Sequence, residues 1–226
     1  MRYSHETLEI FKSKAIQRIN ECKENIAHCH VHIAKGNRKT GRVRNVSNMP
    51  IVCCGNCASC KRYCYDVKAA IQYKNVMTAR AENTAMAQND RERFFAEITA
   101  SLKERIHRKY FRWHVGGEIL DRDYLERMIK VACEKPTWTF WTYTKMFDVV
   151  NGYIADGGFI PENLTILFSV DGESVIDNPY DMPIAYTVLP GYTAPAHCFK
   201  CPGNCETCIE LKRGCPFGES VYFDEH

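Results

Sequence analysis

The sequence predicts an α/β fold, either an incomplete TIM-like barrel or an open parallel sheet, with an N-terminal helix and a cysteine-rich C-terminal extension. Segments of strand character alternate with segments of helical period through the middle of the chain. Several strand-like segments end in polar residues or glycine, and two dense cysteine clusters bracket the whole region. Three parts follow: a helix and basic loop over 1–48, an α/β core with the first cysteine loop over 49–192, and a cysteine-rich metal-binding tail over 193–226.

Leu8, Phe11, Ala15, Ile19, Cys22 and Ile26 recur at helical spacing and predict an amphipathic helix laid on a core. In HCHVHIAKG, His28, His30 and His32 alternate with the period of an extended chain, which makes them a polar strand edge or a histidine metal site. GNRKTGRVRNVSN reads as a loop, and Pro50, Ile51 and Val52 as a short strand running into the first cysteines. YDVKAAIQYKNVMTARAENTAMAQ has neither proline nor glycine and predicts one helix or a broken pair. Phe94, Phe95, Ile98, Leu102 and Ile106 form another helical stripe, after which KYFRWHVGGE changes to strand period. Asp121 is placed to cap a helix faced by Leu125, Met128, Ile129 and Ala132, which Pro136 stops. WTFWTYT is the next strand, MFDVVNGYIADG a helix, and LTILFSVD and IAYTVLP two further strands.

In parallel α/β folds the C-terminal ends of the strands carry the ligand face. His114 with Gly116, Gly117 and Glu118, Thr142 with Thr144 and Lys145, and Ser169 with Asp171 stand at such ends, so they are expected around one mouth. The first cysteine loop also follows a strand and opens onto the same face.

Composition limits the function. The net charge is +3 with a pI near 8.2, so no strong attraction for nucleic acid is announced. Basic residues are concentrated early, where Arg38, Lys39, Arg42 and Arg44, joined by Lys61 and Arg62, offer at most a weak nucleic-acid contact. No stretch approaches the roughly 18 apolar residues of a membrane span, and the first residues lack a secretory apolar core, so a cytoplasmic protein with no membrane partner is expected. In that compartment 13 cysteines are metal chemistry rather than a disulfide framework. Cys22, Cys29 and Cys133 stand apart and read as small apolar fillers.

The first cluster allows overlapping ligand sets. Cys54, Cys57, Cys60 and Cys64 have the C-x2-C-x2-C-x3-C spacing of a ferredoxin run, while Cys53, Cys57 and Cys60 give C-x3-C-x2-C. The tail repeats C-x3-C-x2-C at Cys201, Cys205 and Cys208, flanked by Cys198 and Cys215. Soft anionic thiolates suit zinc and iron–sulphur clusters alike: zinc would close a tetrahedral staple, whereas a cluster with three protein ligands leaves an iron open. No H-E-x-x-H or comparable hydrolytic spacing is present.

The ordered motifs CCGNCASCKRYCY, RWHVGGE, FWTYTK, LFSVD and CFKCPGNCETC resemble the phage-associated gene product 88 family and, more broadly, the radical SAM superfamily. The likeness covers most of residues 50 to 215. It implies a radical SAM-like partial barrel in the host cytoplasm and a [4Fe-4S] cluster, with a second one in the tail or a single site completed by both loops. It also implies S-adenosylmethionine bound at the open iron, a reductase as partner, and a small-molecule or macromolecular substrate of unknown identity. One-electron cleavage would then deliver a 5′-deoxyadenosyl radical to the substrate. The superfamily spacing selects Cys53, Cys57 and Cys60, whereas the gene product 88 pattern selects Cys53, Cys60 and Cys64. Gly116, Gly117 and Glu118 resemble the motif beside the methionyl ammonium, with His114 and Lys145 as contacts to substrate or cluster edge. Against this stand a zinc-binding interaction module and an electron-transfer protein without S-adenosylmethionine.

Overall fold

A computed structural model describes residues 3–55, 60–171, 176–189 and 191–224. Seven strands form one sheet in the order β1-β2-β3-β4-β5-β7-β6, with every neighbouring pair parallel. They are β1 (Arg44–Asn45), β2 (Tyr110–Arg112), β3 (Thr139–Thr144), β4 (Leu164–Asp171), β5 (Ile184–Val188), β6 (Phe199–Lys200) and β7 (Val221–Asp224). The helices are α1 (His5–Glu24), α2 (Tyr65–Gln72), α3 (Lys74–Asn89), α4 (Arg91–Ser101), α5 (Arg122–Glu134), α6 (Phe147–Ala155) and α7 (Cys205–Leu211). The sheet curls into a half-barrel of the general kind seen in TIM and radical SAM-like barrels, with the cysteine-rich region at its C-terminal end.

Strand alternation divides the side chains between two faces. Phe111, Phe140, Leu164, Ile166 and Phe168 point to the helical layer, where they pack with Phe94, Phe95 and Ile98 of α4 and Leu125 and Met128 of α5. Trp141, Leu167, Ala185 and Val221 point the other way and form the lining of the concave face with Val43 and Cys215. Because β3 and β4 are covered on both faces, most of their residues are buried whichever way they point, the threonines Thr142 and Thr144 included. A third cluster seats Leu8, Phe11, Ala15 and Ile19 of α1 against α2 and α3, together with Met49 and Cys53. Asp121 caps α5, its carboxylate accepting from the Tyr124 N–H at 2.9 Å.

The structure corrects two local expectations. Pro50 to Val52 form turns, with Ile51 at φ +67°, and the first strand is instead Arg44–Asn45, inside the segment read as loop. His28, His30 and His32 do project outward, alternating with Cys29, Val31 and Ile33, yet the segment joins no strand. His32 Nε2 lies 3.0 Å from Glu82 and His30 Nδ1 3.6 Å from Glu97, so two of the imidazoles meet carboxylates of α3 and α4. The tail contributes β6 and β7, two strands not singled out in the sequence, which extend the sheet beyond β5.

The basic loop has a use that its composition hides. Asn204 caps α7 through the Glu206 N–H, its side-chain amide donates to the Arg38 carbonyl, and the Cys205 N–H donates to the Lys39 carbonyl at 2.9 Å. Arg42 pairs with Glu206 at 2.9 Å, and Arg108 meets the same carboxylate. Part of the basic run is therefore engaged in seating the cysteine-bearing helix.

Candidate functional site

A cavity of about 480 Å³ opens at the C-terminal ends of the parallel strands. Its walls combine Cys54, Cys60 and Cys64 of the first loop with Cys201, Cys205, Cys208 and Cys215 of the tail. His114, Gly116, Gly117, Glu118, Thr144, Lys145, Ser169 and Asp171 also line it, so these strand-end residues share one mouth, whereas Thr142, expected among them, is fully buried and does not line it.

The cysteines divide by position. Cys53 is absent from the cavity wall: it is 6% exposed, packs in the cluster under α1, and lies 3.5 Å from the Thr84 hydroxyl. Cys57 lies outside the described residues. Cys198 is buried beside a separate, smaller hollow lined by Val188, Tyr192 and Tyr222. Burial pushes the Cys64 thiol up to about 11, and the Cys208 and Cys215 thiols up to about 12. Among the described residues, no three or more His, Cys, Asp or Glu side chains are drawn together as a metal site. The thiols thus surround a common space without meeting at one point.

The glycine turn is built by the protein's own packing. A Cβ on Gly116 would stand 1.7 Å from Asp66 Oδ2, and one on Gly117, at φ +85°, 2.7 Å from Asn48 Cβ. Asp66 is held in that place by Arg80, whose Nε and Nη2 approach its two oxygens at 3.1 and 2.9 Å. Glu118 is 6% exposed and accepts from the N–H groups of Ile119 at 2.8 Å and Lys145 at 2.7 Å. Lys145 Nζ donates to Asp171 at 2.8 Å and to the Ser169 carbonyl at 3.3 Å. His114 sits at φ +50°, with Nδ1 3.2 Å from the Thr142 hydroxyl and Nε2 3.0 Å from the Tyr124 hydroxyl. Burial pushes its pKa down to about 3, so the imidazole is neutral, with both ring nitrogens engaged inside the protein.

Burial raises the Glu118 pKa to about 7, outweighing the Lys145 and Ile119 backbone donors, the Thr144 hydroxyl and the Lys145 charge. With a folded value above the ordinary 4.5, the folded chain between about pH 4.5 and about pH 7 holds a proton that the unfolded chain has released. Stability from this group is complete below about pH 4.5 and is lost as pH rises through about 7, a change on the order of 3 kcal/mol. Glu118→Gln should therefore flatten the fall in unfolding free energy between about pH 5 and about pH 8, measured by urea denaturation. Equal slopes in the two proteins would contradict this assignment.

Sequence reasoning missed Arg112 and Tyr143. Both face the cavity, and the Arg112 guanidinium lies 4.6 Å from the Tyr143 ring centre. A signal existed: in KYFRWH, Phe111 and Trp113 define the core face of the strand, which puts Arg112 on the concave side.

The family model described as Gene product 88 matches residues 12–214. The chain belongs to this phage-associated family. No curated protein and no solved structure matches it. Membership of the gene product 88 family carries no assignment to the radical SAM superfamily, and the broader likeness rests on the curled parallel half-barrel alone. No helix among the described residues is long and apolar enough to cross a membrane.

Proposed function

We propose that this gene product 88 protein is an iron–sulphur protein working as a radical SAM-like enzyme. The observation that supports it is the meeting of both cysteine loops at one cavity on the C-terminal face of the half-barrel. The donor chemistry suits such a group: seven thiols line the space, to be drawn together on binding, and the buried Arg112 beside Cys205 matches the negative charge that thiolate ligation brings. In this reading Cys54, Cys60 and Cys64 supply three thiolates from the first loop. Cys201, Cys205, Cys208 and Cys215 supply the donors of a tail centre.

When bound, the open iron and S-adenosylmethionine would supply one-electron reductive chemistry, with a reductase as electron source. The protein's own residues define the setting. Trp141, Tyr143 and Phe223 give the cavity aromatic walls. Glu118 places a carboxyl group on the wall, where it can accept ammonium hydrogens beyond the bonds it takes from the Ile119 and Lys145 N–H groups and the Thr144 hydroxyl. The Lys145–Asp171 pair sets a bound charge at the ends of β3 and β4 without adding net charge to the space.

Anaerobically purified protein should be brown, contain iron and acid-labile sulphide, and change its reduced electron paramagnetic resonance signal when S-adenosylmethionine is added. Iron and sulphide with no response would remove the S-adenosylmethionine step and leave an electron carrier. A colourless, zinc-only protein would overturn the iron–sulphur reading altogether.

A further inference from the structure

Arg112 is a cation in an unusual position. It ends β2, is 9% exposed, and its Nε is buried without a hydrogen-bond partner. Among the described residues no carboxylate forms an ion pair with it, and its Nη1 lies 3.9 Å from Cys205 Sγ. The guanidinium stacks over Tyr143 at 4.6 Å, and the Tyr143 hydroxyl reaches Cys215 Sγ at 2.9 Å. A buried charge left without a counter-charge is costly, and a guanidinium does not deprotonate to escape the cost. The arrangement is resolved once the neighbouring sulphurs carry negative charge.

We propose that Arg112 and Tyr143 are positioning residues that stabilise the reduced form of the tail iron–sulphur centre, and so set its reduction potential. This rests on the iron–sulphur reading above and adds to it two residues that ligate nothing. The physical reason is direct: reduction adds an electron, and a fixed cation near the ligand sulphurs favours the more negative state. A hydroxyl donating to a ligand sulphur acts in the same direction. Arg112 acts beside Cys205 and Tyr143 on Cys215, and because the guanidinium stacks on the Tyr143 ring the two effects are coupled.

The test is a redox titration of the full anaerobic protein, followed by electron paramagnetic resonance, in the wild type and in Arg112→Met, Arg112→Lys and Tyr143→Phe. Arg112→Met is expected to lower the midpoint potential of the tail centre, Arg112→Lys to lie closer to the wild type, and Tyr143→Phe to show a smaller fall. The tail signal is assigned by its loss in Cys208→Ala. An unchanged midpoint in a folded, iron-loaded Arg112→Met protein overturns the proposal. If Arg112→Met does not fold, Tyr143→Phe decides: a lowered midpoint supports it and an unchanged one overturns it. Failure of the underlying reading looks different, because the wild type would then take up no iron and sulphide at all.

Discussion

Gly116→Ala is expected to destabilise the chain by about 3–5 kcal/mol, the range for disrupting a buried ion pair. The new methyl carbon would fall 1.7 Å from Asp66 Oδ2 and 2.1 Å from its Cγ, far inside any tolerable contact. Asp66 cannot yield cheaply, because its side chain is 3% exposed and both its oxygens are bound by Arg80. The glycine is fixed from its other side as well: its N–H donates to the Ser47 hydroxyl at 3.1 Å and its carbonyl accepts from the Asn48 N–H at 3.0 Å. A double-mutant cycle measured by urea denaturation checks the cause. With Asp66→Ala already in place, adding Gly116→Ala should cost little; a full additive loss would mean that the clash is not what demands glycine.

That result bears on how a glycine pair is read from sequence. Gly116 and Gly117 look like a place where backbone approaches a ligand, and they do line the cavity. Their missing side chains are nevertheless required by Asp66 and Asn48, residues from distant segments that only the fold brings near. The same distinction separates what was legible from what was not. LTILFSVD was readable from end to end because a strand buried on both faces has a local signature of its own. The Asp121 cap was readable because the bond that defines it spans three residues. By contrast, Arg44–Asn45 is a two-residue strand in a charged run, and its strand character comes from pairing with β2 and with Ala34. β6 has two residues and β7 four, and the pairing of β7 with β5 and of β6 with β7 is a property of the assembled sheet. The cavity mouth followed from the rule for strand ends, whereas the choice among overlapping cysteines needed side-chain positions.

Those positions give the second large effect, on ligation within the first loop. Cys54→Ala, Cys60→Ala and Cys64→Ala, each made singly, are expected to abolish the S-adenosylmethionine-responsive signal of anaerobically prepared protein, because each removes a thiol from the cavity wall. Cys53→Ala should leave iron, sulphide and that signal at wild-type levels. Its thiol packs against the Met49 and Val67 cluster and meets the Thr84 hydroxyl, so it behaves as a small core side chain. The loss there is one of packing, about 1 kcal/mol, visible in urea denaturation and not in metal analysis. The sequence patterns point the other way, since both family registers begin at Cys53. Loss of the signal in Cys53→Ala with retention in Cys54→Ala would therefore restore those registers. It would require the loop to turn over when it takes up iron, exchanging a core thiol for one now at the cavity. The opposite result fixes the donor set on the side of the loop that faces the strand ends, where Cys60 and Cys64 already stand with Cys54.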